Sequence, residues 1–232
     1  MTKKLILASA SPRRSQLLKQ MGLDFRIIIC NQEENIPPGL KPFEVVEQLA
    51  ERKSKAVAKG LNDGIVIGAD TIVVWRGNVL GKPSSAREAE EMLNNLQGST
   101  HEVYTGVALV DALSSKIKVD HEITRVIFRP VGMDEIRRYV ATGEPMDKDG
   151  SLVGTMYRNS SCLSNSMLNE KEFSPRGTGC AGAYAIQGIG TIFVERIEGD
   201  YTNVVGLPLP LLYKMLKKMG YDILDKKNEQ AY

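Results

Sequence analysis

Short, wholly apolar runs alternate along this chain with longer stretches in which apolar residues recur every three to four positions. Leu5-Ile6-Leu7-Ala8 is the first short run and predicts a buried strand. It opens into Ser9-Ala10-Ser11, and Pro12 then stands where a helix takes its first residue, with Ser11 as N-cap. That helix is expected to stop near Met21, ahead of Gly22, and residues 25–30 read as a second strand. From Pro42 to about residue 59, Val45, Val46, Leu49, Ala50, Ala56 and Val57 keep helical spacing, which puts Lys53 on or beside the apolar stripe. A lysine there either snorkels to solvent or carries its ammonium into a site at the helix edge.

Residues 65–69 form a continuous apolar run of the kind found in a strand covered on both faces. Asp70-Thr71 interrupts it, and it resumes as residues 72–75. A hairpin turn follows at 76–78, then Val79-Leu80 and the loop Gly81-Lys82-Pro83. Ser85-Ala86-Arg87-Glu88 has the capping-box pattern for a helix to about Leu96. Residues 101–110 and 116–128 predict two long antiparallel strands, and 133–141 a short helix halted near Gly143. Strand segments are expected at 183–188 and 192–197, a further core segment at 203–207, and a closing helix over 209–219. Residues 149–180 keep neither period, are rich in Ser, Asn and Gly, and are expected to be disordered. Nothing else divides the chain, so the expectation is one α/β domain over 1–224 carrying an insertion at 149–180, with a charged tail at 225–232.

Charge narrows the function classes. Thirty basic residues against 28 acidic ones give a net charge of +2, which excludes a global basic field for a nucleic acid polymer or a membrane surface. Cationic chemistry must therefore be local. The three cysteines, Cys30, Cys162 and Cys180, form no CxxC pair and argue for a reducing, cytoplasmic setting. The apolar run near the N-terminus is too short for a signal-peptide core.

The chemistry-bearing residues gather at predicted strand ends and loops: Ser9, Arg13, Arg14, Glu34, Lys53, Asp70, Lys82, Asp147 and Lys148. A carboxylate inside the 65–75 run is costly unless it is paired or meets a cation, so Asp70 is the leading functional acid. Several cations with two or three carboxylates suit a polyphosphate and a hard divalent ion, with water as nucleophile. Mg²⁺ fits better than Zn²⁺, because His101 and His121 lack ligand spacing. No Walker A sequence, GxGxxG opening or GxSxG elbow is present.

The segments LILASASPRR (5–14), LAERK (49–53), IGADTIV (67–73), GKP (81–83), TGV (105–107), GEPMDK (143–148), GAYAIQG (182–188) and GDYTNVVGLPL (199–209) together resemble the Maf family of nucleotide pyrophosphatases. The resemblance implies a mixed α/β fold with an elongated central β-sheet flanked by helices, and two lobes with the substrate cleft between them, as in inosine-triphosphatase-like proteins. It implies hydrolysis of a nucleoside triphosphate to the monophosphate and pyrophosphate with a divalent metal cation, Mg²⁺ or Mn²⁺, and a homodimer. Asp70 matches the family's catalytic acid, and Glu34 with Asp70 its metal position. Ser9, Arg13, Arg14, Lys53, Lys82 and Lys148 match its phosphate-handling positions. Arg13, Thr71 and Gln187 match the dTTP/UTP branch, which extends the expected substrates to modified pyrimidine nucleotides. The chain departs from the family where residues 149–180 separate Lys148 from Gln187. A purine-directed house-cleaning enzyme and a non-catalytic nucleotide-binding regulator are the alternatives.

Overall fold

The protein is described here from a computed structural model, which covers residues 3–29, 39–146 and 181–225. Seven strands make one mixed sheet: β1 (Leu5–Leu7), β2 (Phe25–Ile27), β3 (Ile65–Trp75), β4 (Asn78–Leu80), β5 (Thr100–Asp111), β6 (Ile117–Phe128) and β7 (Val194–Glu198). Their order is β2-β1-β3-β5-β6-β7, with β4 paired to the far end of β3. The two pairings of β1 are parallel and the others are antiparallel. Helix α1 (Pro12–Gln20) links β1 to β2, and α2 (Pro42–Ala58) links β2 to β3.

The alternation along β3 sorts its side chains onto two faces. Ile65, Ile67, Ala69 and Val73 enter the main core, together with α1 and the later helices α3 (Ala86–Leu96), α4 (Met133–Ala141) and α6 (Leu209–Lys218). Val66 packs with Ile6, Val57 and Ala58, while Ile72 and Val74 pack under Val45, Val46 and Leu49 of α2. Both faces are thus covered, as the unbroken apolar run requires. Asp70 causes no bulge, since β3 runs in continuous register with β5 from Ile65 to Val74.

Helix α2 lies directly on the sheet backbone at two glycines. A Cβ on Gly68 would stand 2.3 Å from the Ala50 carbonyl oxygen, and one on Gly106 would stand 2.3 Å from that of Val46. Ala50 and Val46 are one helical turn apart, so the two glycines set the diagonal on which α2 crosses β3 and β5.

Several expectations change. The second strand ends at Ile27 rather than 30, and Cys30 lies outside the described residues. Residues 183–188 are not a strand: a 3₁₀ turn at Ala181–Ala183 places Gly182 at φ 76° and Ala183 at φ 61°, which extended backbone cannot contain. Residues 203–207 do join the core as expected, with Asn203, Val205 and Leu207 buried. Asn203 to Val205 close α5 (Tyr201–Val205), which Asp200 caps by accepting a 2.7 Å hydrogen bond from the Thr202 N–H. Before β7 the chain forms a 3₁₀ turn, Ile189–Phe193, so that strand begins two residues later than expected. Ser11 occupies the N-cap of α1 without a side-chain cap. At α3 the Ser85 hydroxyl accepts from the Glu88 N–H, while the Glu88 carboxylate turns to Ser84. Among the described residues no helix is long and apolar enough to cross a membrane.

Candidate active site

The chain leaves β1 in one direction to reach β2 and returns past it to reach β3, so the carboxyl end of β1 is a topological switch point. Ser9 and the start of α1 lie there. On the same side β1 pairs with β3 only over Ile65 to Ile67, and β4 only over Val73 to Trp75. Residues 68–72 of β3 therefore form an open edge between two short strands. The Ser9 loop borders one end of this gap, and Gly81-Lys82 after β4 borders the other.

Asp70 sits in the middle of the gap on the α2 face and is buried. Lys53 of α2 donates to its Oδ1 at 2.6 Å, with 17% of the lysine side chain and 11% of the aspartate side chain exposed. The lysine thus reaches into the sheet instead of snorkelling, and its ammonium gives a largely buried carboxylate the partner such a group needs. Asp70 Oδ2 has no hydrogen-bond partner among the described residues, so one oxygen is left for chemistry.

Arg14 is held more firmly than a phosphate ligand requires. Its Nε donates to the Gly206 carbonyl at 2.8 Å, Nη1 to Ser9 Oγ at 3.2 Å and Nη2 to Thr71 Oγ1 at 3.2 Å. Ser9 Oγ also accepts from the Ser11 N–H at 3.2 Å, which folds the small-residue loop over itself. Ser9 is buried, so its loop is preorganised at the end of β1. Arg13 is half-buried on the first turn of α1. Lys82 is exposed beside the gap, where Gly81 accepts from the Gly182 N–H at 3.3 Å. Gln187 is exposed on the turn before residue 189, and its amide makes no hydrogen bond among the described residues. Glu34, Asp147 and Lys148, and the whole of 149–180, lie outside the described residues.

The structure therefore joins Ser9, Arg14 and Thr71 in one network and Lys53 and Asp70 in another. Several polar groups had no role in the sequence reading. Thr105 and Asn203, both wholly buried, extend the Arg14 network into the core. Glu144, also buried, accepts from the Tyr139 hydroxyl at 2.9 Å and from the N–H groups of Ile189 and Gly190 at 2.8 and 2.9 Å. It ties the chain before residue 147 to the chain after residue 180. A lone Glu in a Gly-Glu-Pro turn gives no sign of this, because the two N–H groups it holds lie more than forty residues away.

The family signature described as "Maf-like protein" matches residues 4–157 and 155–219. The chain belongs to the Maf family. A relative from Pelotomaculum thermopropionicum named "dTTP/UTP pyrophosphatase" is 51% identical over 222 residues, covering 96% of this chain and all of that protein. A second with the same name, from Desulforamulus reducens, is 43% identical over 95% of this chain and 98% of its own length. The solved "Ham1 protein" of Staphylococcus aureus overlaps 54% of this chain and 72% of its own at 20% identity, with a TM-score of 0.37, and adds nothing to the assignment.

In this Maf protein the described residues contain one His/Asp/Glu group with ligand atoms close enough to share an ion: Glu47, Asp120 and His121. It lies apart from Asp70. The register runs Asp70, Gly106, His121 across three strands, so His121 stands two strand spacings, about 10 Å, from Asp70 with the α2 backbone over Gly106 in between. His121 Nδ1 already meets Glu47 Oε1 at 2.7 Å, and its ring stacks on Phe43 at 5.0 Å. That arrangement pins α2 to β6 rather than serving the gap.

Proposed function

We propose that this Maf protein hydrolyses dTTP and UTP to the monophosphate and pyrophosphate at the open edge of β3, with a divalent cation. The observation that carries the reading is the Asp70 carboxylate. It is buried, held on one oxygen by Lys53, and set at the switch point of a chain that matches, end to end, relatives named for this activity. Asp70 Oδ2 takes the proton of the attacking water as the α–β phosphoanhydride bond breaks, and Lys53, donating to Oδ1, holds the carboxylate in place for that purpose. The ordered Ser9 loop, Arg13 and Arg14 receive the phosphates on one side of the gap and Lys82 on the other, with Lys148 assigned to the same task. The donor chemistry suits Mg²⁺ or Mn²⁺, since Asp70 offers a hard carboxylate oxygen and Glu34 would add another. Such a cation supplies charge neutralisation on the phosphate oxygens. Gln187, with both an amide donor and an acceptor, is assigned to the pyrimidine edge together with Arg13. We take the chain to be a single Maf domain interrupted at 149–180, acting in the cytoplasm as a homodimer.

The test is a panel of dTTP, UTP, ITP and the remaining common triphosphates, read by pyrophosphate release with Mg²⁺ or Mn²⁺. Turnover of dTTP and UTP above the purines, lost by about 100-fold or more in Asp70→Asn, is the expected result. Preference for ITP, or binding without turnover in the wild type, overturns it.

A further inference from the structure

Thr71 Oγ1 lies 2.9 Å from Thr105 Oγ1, and the Thr105 hydroxyl in turn reaches the Asn203 carbonyl at 3.1 Å. A carbonyl can only accept, and a threonine hydroxyl has one proton. Thr105, wholly buried, gives that proton to Asn203. Its oxygen must then accept from Thr71. The Thr71 oxygen keeps its lone pairs for Arg14 Nη2 at 3.2 Å. The four groups form a chain of donors running one way, from the Arg14 guanidinium through Thr71 and Thr105 to the backbone of α5.

The far end of this chain is fixed. The Asn203 side-chain amide donates to the Val103 carbonyl at 3.0 Å and to Thr124 Oγ1 at 2.9 Å, and the Thr124 hydroxyl donates to the Asp200 carbonyl at 3.1 Å. The adjoining Gly206 carbonyl accepts from Arg14 Nε. Thus α5 grips the guanidinium at two points, once directly and once through two threonines on neighbouring strands.

We propose that Thr105 is a positioning residue for the nucleotide site and that the Thr71 hydroxyl acts through Arg14 rather than by donating to the nucleobase. Its proton is committed to Thr105, so it has none to offer a pyrimidine oxygen. Its effect on substrate choice is to fix the plane of the Arg14 fork. The proposal rests on the hydrolase reading for its substrate and on the hydrogen-bond geometry for its direction.

The test is a double-mutant cycle of Thr71→Val, Thr105→Val and the double variant, with Thr105→Ser as the conservative control. KM and kcat are measured for dTTP, and equilibrium dTTP binding is measured separately without metal. Because Arg14 holds phosphate before and during reaction, each single valine variant should raise KM and the dissociation constant about fivefold with kcat little changed. The double variant should be no worse than either single one, since both cut the same chain. Thr105→Ser should restore the wild-type values. Effects that add in the double variant, or wild-type binding in Thr105→Val, overturn the proposal. If buried Thr105→Val does not fold, Thr71→Val against Thr105→Ser decides it: a weakened Thr71→Val beside a wild-type Thr105→Ser supports the chain, and unaltered binding in Thr71→Val overturns it. A wild type that binds dTTP without turnover overturns the hydrolase reading alone, because the cycle is still read in binding.

Discussion

Asp70 and Thr71 are consecutive on β3 and serve opposite faces of the sheet, Asp70 toward Lys53 of α2 and Thr71 toward Thr105 and the main core. Two neighbours at one open strand edge thus place a carboxylate on one side of the gap and a guanidinium on the other. The strand's period of two makes this separation compulsory.

Lys53 is the partner that makes a buried Asp70 tolerable. Lys53→Met should remove activity and cost about 2 kcal/mol of stability, because it leaves a lone carboxylate that is nine-tenths covered. Adding Asp70→Asn to it should return most of the stability and none of the turnover. Urea unfolding and pyrophosphate release on the three variants read the two effects apart.

Gly106→Ala should move α2. Its Cβ would meet the Val46 carbonyl oxygen at 2.3 Å and carbon at 2.4 Å, so the helix must lift, at about 2 kcal/mol or more. The same lift withdraws Lys53, so kcat should fall at temperatures where the variant is fully folded. Gly68→Ala should behave alike, against the Ala50 carbonyl. Gly60→Ala, whose Cβ would meet nothing nearer than the Val57 carbonyl oxygen at 3.8 Å, is the control expected to leave both quantities unchanged.

His101 predicts an acid limit. Burial drives its imidazole down from 6.5 to about 4, and its Nε2 meets the Tyr184 hydroxyl at 2.8 Å. Between those two pH values the unfolded chain binds a proton that the native one refuses. The contribution is therefore fully present above about pH 6.5 and shrinks as pH falls toward 4, by about 3 kcal/mol in all. Urea midpoints measured from pH 7 to 4 should fall along this course and flatten in His101→Gln, which can still pair with Tyr184.

Glu144 closes the chain across the stretch from 147 to 180. Glu144→Ala strands two N–H groups and a hydroxyl and should cost about 3 kcal/mol. Deleting residues 149–180 leaves that closure in place, and the shortened protein should unfold within a few degrees of the full chain and retain pyrophosphate release. A deletion variant that fails to fold would show that the flanks depend on what was removed.

Much of this was legible from local pattern. The continuous apolar run leading up to Asp70 foretold a strand buried on both faces, and the place of Lys53 in the α2 stripe foretold a lysine that could turn inward. What escaped was whatever depended on register. Thr105 is an ordinary strand threonine until the β3–β5 pairing sets it against Thr71. The segment after residue 180 looked extended because Tyr184 and Ile186 suit strands, yet positive φ at Gly182 and Ala183 turned it. Residues 203–207 were legible as core from their valines and leucine, while the Asp200 cap that starts α5 ahead of them was not. Ser11 and Glu88 show the same limit at smaller scale: Ser11 stands at the N-cap with no side-chain cap, and the Glu88 carboxylate that would complete a capping box turns to Ser84.

The unpaired middle of β3 has one more consequence. A bare strand edge ordinarily invites a stray strand from another molecule. Here the stretch is five residues, about 17 Å, and a three-residue strand stands at each end, so an intruder cannot extend its pairing beyond the gap. The frame can be re-cut by altering the loops after β1 and β4 while the central strand stays as it is. Such a sheet can accept new guests at its rim without rebuilding its middle.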